Sequence, residues 1–324
     1  MRVCVVGAGA IGCYLGARLG AAGCEVSALA RGPTLAALRQ HGMRLACRET
    51  GQELAIPVQA SACPRELGTQ DVVVVAVKGT ALHAVARDVV PLLGRGTIVI
   101  PAMNGVPWWF FTAFGGMHRG LQLTRLDPDG LIRDCIPFAA IVASVVYPNC
   151  ERRAPGYAQH NFGKRIVLGA PAEACAGRAE EMVSLFIRAG FDAALSCDLY
   201  SDIWNKAVGN SVMNPVAALT GATCDCILED PSLSAVCHAM MQEAIDIGST
   251  IGCEHLLSAD EQIGFARSMG RFTPSMLQDV QAGNVLEIEP LTGVMSEIGH
   301  AVGVDTRRID ALLGLARVFA KTKG

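Results

Sequence analysis

The chain predicts an α/β fold, a doubly wound parallel sheet followed by an all-helical region, and three observations carry that prediction. The first is a glycine-rich turn, Gly7-Ala8-Gly9-Ala10-Ile11-Gly12, entered directly from the apolar run Met1 to Val6. The second is the alternation of short β-rich runs with helical patterns through the first half of the chain. The third is a change near residue 170 to long helical patterns. A chain of 324 residues exceeds a typical single domain, so two are expected, over 1–172 and 173–324.

The first strand, near 2–6, leads into the turn, and a helical pattern leaves it. In that setting the first glycine allows the tight turn, the second lets the backbone approach a pyrophosphate, and the third packs helix against strand. The phosphates then sit at the helix N-terminus, where unpaired N–H groups and the dipole favour negative charge. This is the Rossmann-type dinucleotide fingerprint, and it makes Gly7, Ala8, Gly9, Ala10, Ile11 and Gly12 cofactor-binding candidates. Arg2 and the apolar stretch to Cys13 also have the outline of a secretory leader. Three glycines would weaken a leader helix, however, and thirteen scattered cysteines suit a reducing compartment, so a cytoplasmic location is expected.

The second strand, near 24–29, bears on which dinucleotide binds. An NAD site normally places Asp or Glu at its end, for the ribose diol. Here the chain reads Ala30-Arg31-Gly32, and after Glu25 the next acid is Glu49. A guanidinium offers fixed donors to a 2′-phosphate, so NADP is predicted over NAD with Arg31 as its reader. The plain alternative is a solvated arginine in a turn.

An amphipathic stretch over 33–41 separates this strand from later ones near 72–77 and 97–100. Lys78 and Asn104 follow those two strands at their carboxyl ends, the ligand side of such a sheet. Lys78 suits a cofactor ribose or phosphate, or a substrate carboxylate; Asn104 suits the nicotinamide or its ribose. Either is equally readable as a loop residue. Strand-like runs follow at 138–147 and 165–168, then helical patterns over 176–189, 198–219, 231–251, 258–269 and 290–302. Substrate is expected in the cleft between the two domains.

Composition narrows the partners. Charged residues make up 18% and the formal net charge is −3, so no basic excess exists to neutralise nucleic acid phosphates. The apolar run Ile136 to Tyr147 contains a proline and falls short of a membrane span. Neither nucleic acid nor membrane is expected as a partner, and a 51% hydrophobic content leaves room for a homodimer interface. The cysteines include no CxxC, with Cys224-Asp225-Cys226 the only close pair, and the seven histidines are dispersed. Zinc-ligand spacing is absent, so no metal is expected and the cysteines read as buried free thiols.

In the helical region, Trp204-Asn205-Lys206-Ala207-Val208-Gly209-Asn210-Ser211-Val212-Met213-Asn214-Pro215 sets Lys206, Asn210 and Asn214 at i, i+4 and i+8. On a helix they form one polar stripe about 80° wide, with apolar neighbours. Such a stripe is a solvated face or the wall of a polar pocket; solvated faces prefer Glu, Lys and Arg to two asparagines. Further on, Thr273-Pro274-Ser275 reads as a helix start with Pro at the first helical position. Gly283-Asn284 breaks that helix, and Leu286-Glu287-Ile288-Glu289-Pro290 opens the next. Ser275 then reads as a first-turn hydroxyl or a ligand contact. Glu287 and Glu289 read as favourable charges near a helix N-terminus, or Glu287 as a site residue.

Together these motifs resemble the ketopantoate reductase family, the NADPH-dependent 2-dehydropantoate 2-reductases. The likeness spans nearly the whole chain: GAGAIG at 7–12, LAR at 29–31, VK at 77–78, NG at 104–105, WNKAVGNSVMNP at 204–215 and PSMLQDVQAGNVLEIEPLTG at 274–293. The resemblance implies NADPH-dependent reduction of a 2-oxo acid, foremost 2-dehydropantoate to (R)-pantoate in pantothenate biosynthesis. It implies that Arg31 takes the 2′-phosphate, that Lys78 and Asn104 contact cofactor and active site, and that Lys206 is the catalytic acid. It also implies that Asn210, Asn214, Ser275 and Glu287 contact substrate. In that chemistry Lys206 protonates the alkoxide formed by hydride transfer, and Glu287 fixes the ammonium or accepts a bond from a substrate hydroxyl.

Two departures stand out. Thr292 occupies a place where the family more usually has Asn, and the segment from Val106 to Asp134, beginning Val106-Pro107-Trp108-Trp109-Phe110-Phe111, is longer than the ordinary pattern. Trp108 and Trp109 are core residues or pocket walls; as pocket walls they would change which 2-oxo acid fits. The other functional readings are a family member reducing a different 2-oxo acid, a non-catalytic NADP-binding regulator, and a 3-hydroxy acid dehydrogenase, whose motifs fit the last hundred residues less well.

Overall fold

The computed structural model describes residues 1–323; Gly324, the final residue of the second predicted domain, lies outside them. Two compact units emerge. One comprises Met1–Met103 and Gly130–Leu199, the other Asn104–Asp129 and the chain from Tyr200 onward.

The first unit is built on strands β1 (Arg2–Val6), β2 (Glu25–Leu29), β5 (Gln59–Ser61), β6 (Val72–Val75) and β7 (Ile98–Pro101), paired in the order β5-β2-β1-β6-β7 with every pair parallel. The chain order along the sheet reverses between β1 and β6, which is where such sheets open a crevice for a nucleotide. β6 is four consecutive buried valines, the near-continuous β-branched run of a strand covered on both faces. Helices α1 (Ala10–Ala21), α2 (Gly32–His41), α3 (Pro64–Leu67) and α4 (Gly79–Val89) connect the strands. Gly16 of α1 has no room for a side chain, because a Cβ there would strike Met43 and Val5.

Two further sheets accompany the first, and of their strands the sequence pattern anticipates only those within 138–147 and 165–168. One, ordered β4-β3-β10-β9, joins β3 (Met43–Cys47), β4 (Glu53–Ile56), β9 (Asn149–Ala154) and β10 (Tyr157–Phe162). The other joins β8 (Ala143–Val146), β11 (Arg165–Gly169) and β12 (Asp192–Leu195). The run read as one strand over 138–147 is a 3₁₀ turn, Phe138–Ala140, followed by the shorter β8. Short polar strands such as β9 show too little apolar alternation to stand out alone; their partners define them.

After α5 (Leu131–Cys135) comes α6 (Ala176–Arg188), which buries Ala179, Met182, Leu185 and Phe186 in the first unit's core. Sequence placed this helix with the helical region after 172, whereas the units divide at Leu199, and 104–129 joins the second unit. Helical periodicity shows that a face is buried but not which neighbour buries it.

The second unit contains α7 (Leu199–Thr220), α8 (Cys224–Glu229), α9 (Pro231–Thr250), α10 (Ala259–Ser268), α11 (Ser275–Ala282), α12 (Val294–Val302) and α13 (Arg307–Lys323). α9 begins with Asp230 accepting from the Leu233 N–H and Pro231 in the first turn; α10 begins with a reciprocal Ser258–Glu261 capping box. Pro274 proves to be the N-cap of α11 rather than its first helical residue, and Gly283 at φ +64° ends that helix. The helix expected over 290–302 opens with a π turn, Glu289–Gly293, before α12. α7 and α9 meet where Trp204 donates from Nε1 to the Ala244 carbonyl at 2.9 Å, and Gly248 leaves space for its indole. No helix among the described residues is long and apolar enough to cross a membrane.

Candidate active site

The glycine turn behaves as its spacing predicts. Gly7 sits at φ +96°, with the Ala76–Val77 backbone so close that a Cβ would collide with it. A Cβ on Gly12 would run into the Gly7 carbonyl oxygen and Val5, so helix α1 lies directly on β1. Gly9, the N-cap of α1, faces open space, with no side-chain cap and no acid in the first turn. Backbone donors at Ala10, Ile11 and Gly12 therefore begin a helix open to an anion. The surface is suited to a pyrophosphate, and the close approach of Gly7 to Val77 brings it next to Lys78, the N-cap of α4.

Arg31 is the N-cap of α2 at the carboxyl end of β2. Its Nη2 donates to Asp88 Oδ2 at 2.6 Å, yet the side chain remains 62% exposed. The acid that the sequence lacked beside Arg31 is thus supplied by α4, 57 residues further along. The guanidinium keeps exposed donors while one side is held by a carboxylate.

The second unit collects Asn104, Lys206, Asn210, Asn214, Ser275 and Glu287. Lys206 projects from α7 and donates from Nζ to Asn104 Oδ1 at 2.8 Å. Burial lowers its pKa to about 8, while the opposing charge of Glu287 raises it. Glu287 is only 7% exposed. Asn104 can approach because Gly105, at φ +90°, lies against the Pro290 carbonyl and Leu291, where a Cβ would collide. Asn104, expected to face the nicotinamide, holds the Lys206 ammonium.

One turn along α7, Asn210 Nδ2 is buried and has no hydrogen-bond partner. An unused buried amide donor costs about 1–3 kcal/mol, which makes Asn210 Nδ2 a candidate donor to a ligand. Asn214 is buried, and its Oδ1 accepts a long 3.4 Å bond from Ser275 Oγ. The polar stripe is thus a partly enclosed wall rather than a solvated face.

Glu289 has a different job from Glu287. Its two oxygens accept from Arg317 Nε and Nη2 at 2.6 and 2.9 Å, and Arg125 Nη1 donates to it at 2.6 Å. These cations hold its pKa below the ordinary glutamate value, despite partial burial. It anchors the π turn to α13. Thr292, fully buried, donates from Oγ1 to the Ser211 carbonyl at 2.8 Å. The sequence signal for this bond is Pro215, four residues after Ser211 on α7.

Trp108, Trp109, Phe110 and Phe111 are all buried. Phe110 meets Tyr200 and Phe114 edge-on at 5.2 and 5.3 Å and lies 5.7 Å from Trp204, while Phe114 stacks on Tyr200 at 4.1 Å. The long aromatic segment packs against the start of α7, which carries Lys206.

Comparison with known proteins is consistent across the chain. Residues 3–109 match the family described as "Ketopantoate reductase PanE/ApbA" and residues 198–320 its "C terminal" part. The 2-dehydropantoate 2-reductase of Mesorhizobium japonicum is 40% identical over 325 residues, covering 100% of this chain and 99% of that protein. A solved structure from Ralstonia solanacearum MolK2, assigned by its name to the ketopantoate reductases, is 47% identical with a TM-score of 0.93 over 99% of this chain and 98% of that one. The 2-dehydropantoate 2-reductase of Geobacter metallireducens GS-15 is 26% identical with a TM-score of 0.85, over 98% and 99%.

Proposed function

Because the chain belongs to the ketopantoate reductase family, we propose that it reduces 2-dehydropantoate to (R)-pantoate with NADPH, through Lys206. The observation that carries this reading is a half-buried lysine of lowered pKa, held by Asn104 and beside the charge of Glu287, with the unpartnered Asn210 Nδ2 one turn away. The glycine turn and the open N-terminus of α1 suit the pyrophosphate, and Arg31 suits a 2′-phosphate.

When bound, the reduced nicotinamide supplies the hydride that the substrate carbonyl carbon accepts. The Lys206 ammonium hydrogen-bonds the carbonyl oxygen, stabilises the charge that develops there and gives up its proton as the alkoxide forms. A pKa near 8 keeps the ammonium charged at neutral pH and makes it a better acid than a solvated lysine. Asn104 fixes the direction of Nζ. Glu287 compensates the Lys206 charge and accepts from a substrate hydroxyl in this reading. Asn210 supplies its spare N–H to the substrate, and Asn214 with Ser275 offers neutral polar contacts further along the stripe.

The test is a panel of 2-oxo acids assayed for oxidation of NADPH and NADH, in the wild type and in Lys206→Ala. The reading expects 2-dehydropantoate and NADPH to give the highest kcat/KM and Lys206→Ala to abolish most of it. A different best 2-oxo acid would change the substrate while preserving the reaction. Cofactor binding without turnover on any acid would leave a binding protein.

A further inference from the structure

Away from the residues used above, the β4-β3-β10-β9 sheet assembles a cluster that sequence spacing hid. His160 of β10 and Cys47 of β3 are register partners across a parallel strand pair, so their side chains leave the same face side by side. Cys47 Sγ lies 3.6 Å from His160 Nδ1. Glu49 follows in the turn after β3, and one ligand atom from each of Cys47, Glu49 and His160 falls within 4.8 Å of the others. We propose that Cys47, His160 and Glu49 form a binding site for one zinc-class divalent cation, distinct from the reductase site.

The histidine is prepared for such a role. It is fully buried, stacked on Tyr14 with ring centroids 4.7 Å apart, and its Nε2 meets the Gly163 carbonyl oxygen at 2.5 Å. That carbonyl only accepts, so Nε2 carries the hydrogen and Nδ1 presents its lone pair towards Cys47. A carbonyl partner on the far ring nitrogen is the usual support of a metal-ligating histidine.

The distances agree with tetrahedral coordination. A metal bonded to sulfur at about 2.3 Å and nitrogen at about 2.0–2.1 Å separates the two ligands by about 3.5–3.6 Å. The turn beyond Cys47 is tight: the Gly51 N–H donates to the Cys47 carbonyl at 2.8 Å, with Gly51 at φ +68°. Glu49 is exposed, so its carboxylate swings onto the ion by side-chain rotation alone. One thiolate, one imidazole and one carboxylate select a borderline-soft cation over magnesium or calcium, and leave a fourth position for water.

Cobalt(II) tests this directly, because thiolate coordination gives a charge-transfer band in the near ultraviolet. The purified, metal-stripped chain titrated with Co²⁺ should show that band at one ion per chain, zinc should displace it, and zinc should raise the melting temperature. Cys47→Ser should abolish the band, and His160→Gln should weaken binding about tenfold or more. Glu49→Gln, at an exposed turn position that does not endanger folding, should also weaken binding about tenfold while the apo melting temperature stays unchanged. A chain with exposed Cys63, Cys197 and Cys226 replaced by Ser should keep the band. Absence of the band in the wild type, its persistence in Cys47→Ser, its loss with the three exposed cysteines, or wild-type affinity in Glu49→Gln would overturn the site. None of these outcomes depends on reductase turnover.

Discussion

Thr292 donates from its hydroxyl to the Ser211 carbonyl of α7 at 2.8 Å, and this carbonyl is the one that Pro215, lacking an N–H, leaves without its helical partner. The π turn carrying Thr292 thereby repairs α7 between Asn210 and Asn214. Thr292→Val keeps the shape but strands the carbonyl, so a loss of about 1–3 kcal/mol is expected in urea unfolding. Thr292→Asn, whose amide can make the same donation, should recover most of it. Equal stability of Thr292→Val and wild type would show that α7 does not need the repair.

Arg31 is expected to separate the two cofactors. Arg31→Ala should raise the NADPH dissociation constant by about 10- to 100-fold, the loss of one charge-assisted contact of roughly 1.5–3 kcal/mol, and leave NADH nearly unchanged. Fluorescence titration with both cofactors measures this, and an equal effect on the two rejects Arg31 as the phosphate reader.

Asp88 competes for the same guanidinium. Its ion pair with Arg31 is largely exposed and so is worth about 1 kcal/mol or less. Asp88→Asn should therefore strengthen NADPH binding by no more than about fivefold, with little change for NADH. Weakened NADPH binding would instead identify Asp88 as the residue that aims Arg31.

Lys206→Ala should lower kcat by about 10²- to 10⁴-fold while the cofactor dissociation constant holds. In the wild type the group loses its proton near pH 8 rather than 10.5. Reduction needs the ammonium and should fall as pH rises through about 8; the reverse oxidation needs the neutral amine and should rise over the same interval. A flat profile for both directions between pH 7 and 9 would remove Lys206 from the proton transfer.

Asn210 should show function and stability opposed. Its buried Nδ2 has no partner, so Asn210→Leu removes an unsatisfied donor, and the melting temperature should stay level or rise while KM for the oxo acid increases about tenfold. A large fall in melting temperature with unchanged KM would make the residue structural.

The aromatic segment is expected to act through packing. Phe110→Ala should cost about 3–5 kcal/mol of stability and depress turnover of every 2-oxo acid together. A changed ranking of acids in Trp108→Ala or Trp109→Ala, with stability retained, would make those tryptophans pocket walls instead.

The sequence alone determined whatever depends on neighbours along the chain. Gly7, Gly9 and Gly12 announced a strand, a turn and a helix because each meets a local steric demand, and 3.6-residue periodicity put Lys206, Asn210 and Asn214 on one face of α7. Tertiary structure decided which partner each group met. Asp88 reaches Arg31, Asn104 holds Lys206, Thr292 serves Ser211, and β3 and β10 place Cys47 beside His160 across 113 residues. Such pairings are invisible in local spacing because strand register and helix packing minimise exposed apolar surface and unsatisfied polar groups over the whole unit, and a hydrogen bond does not depend on how far apart its ends lie in the chain.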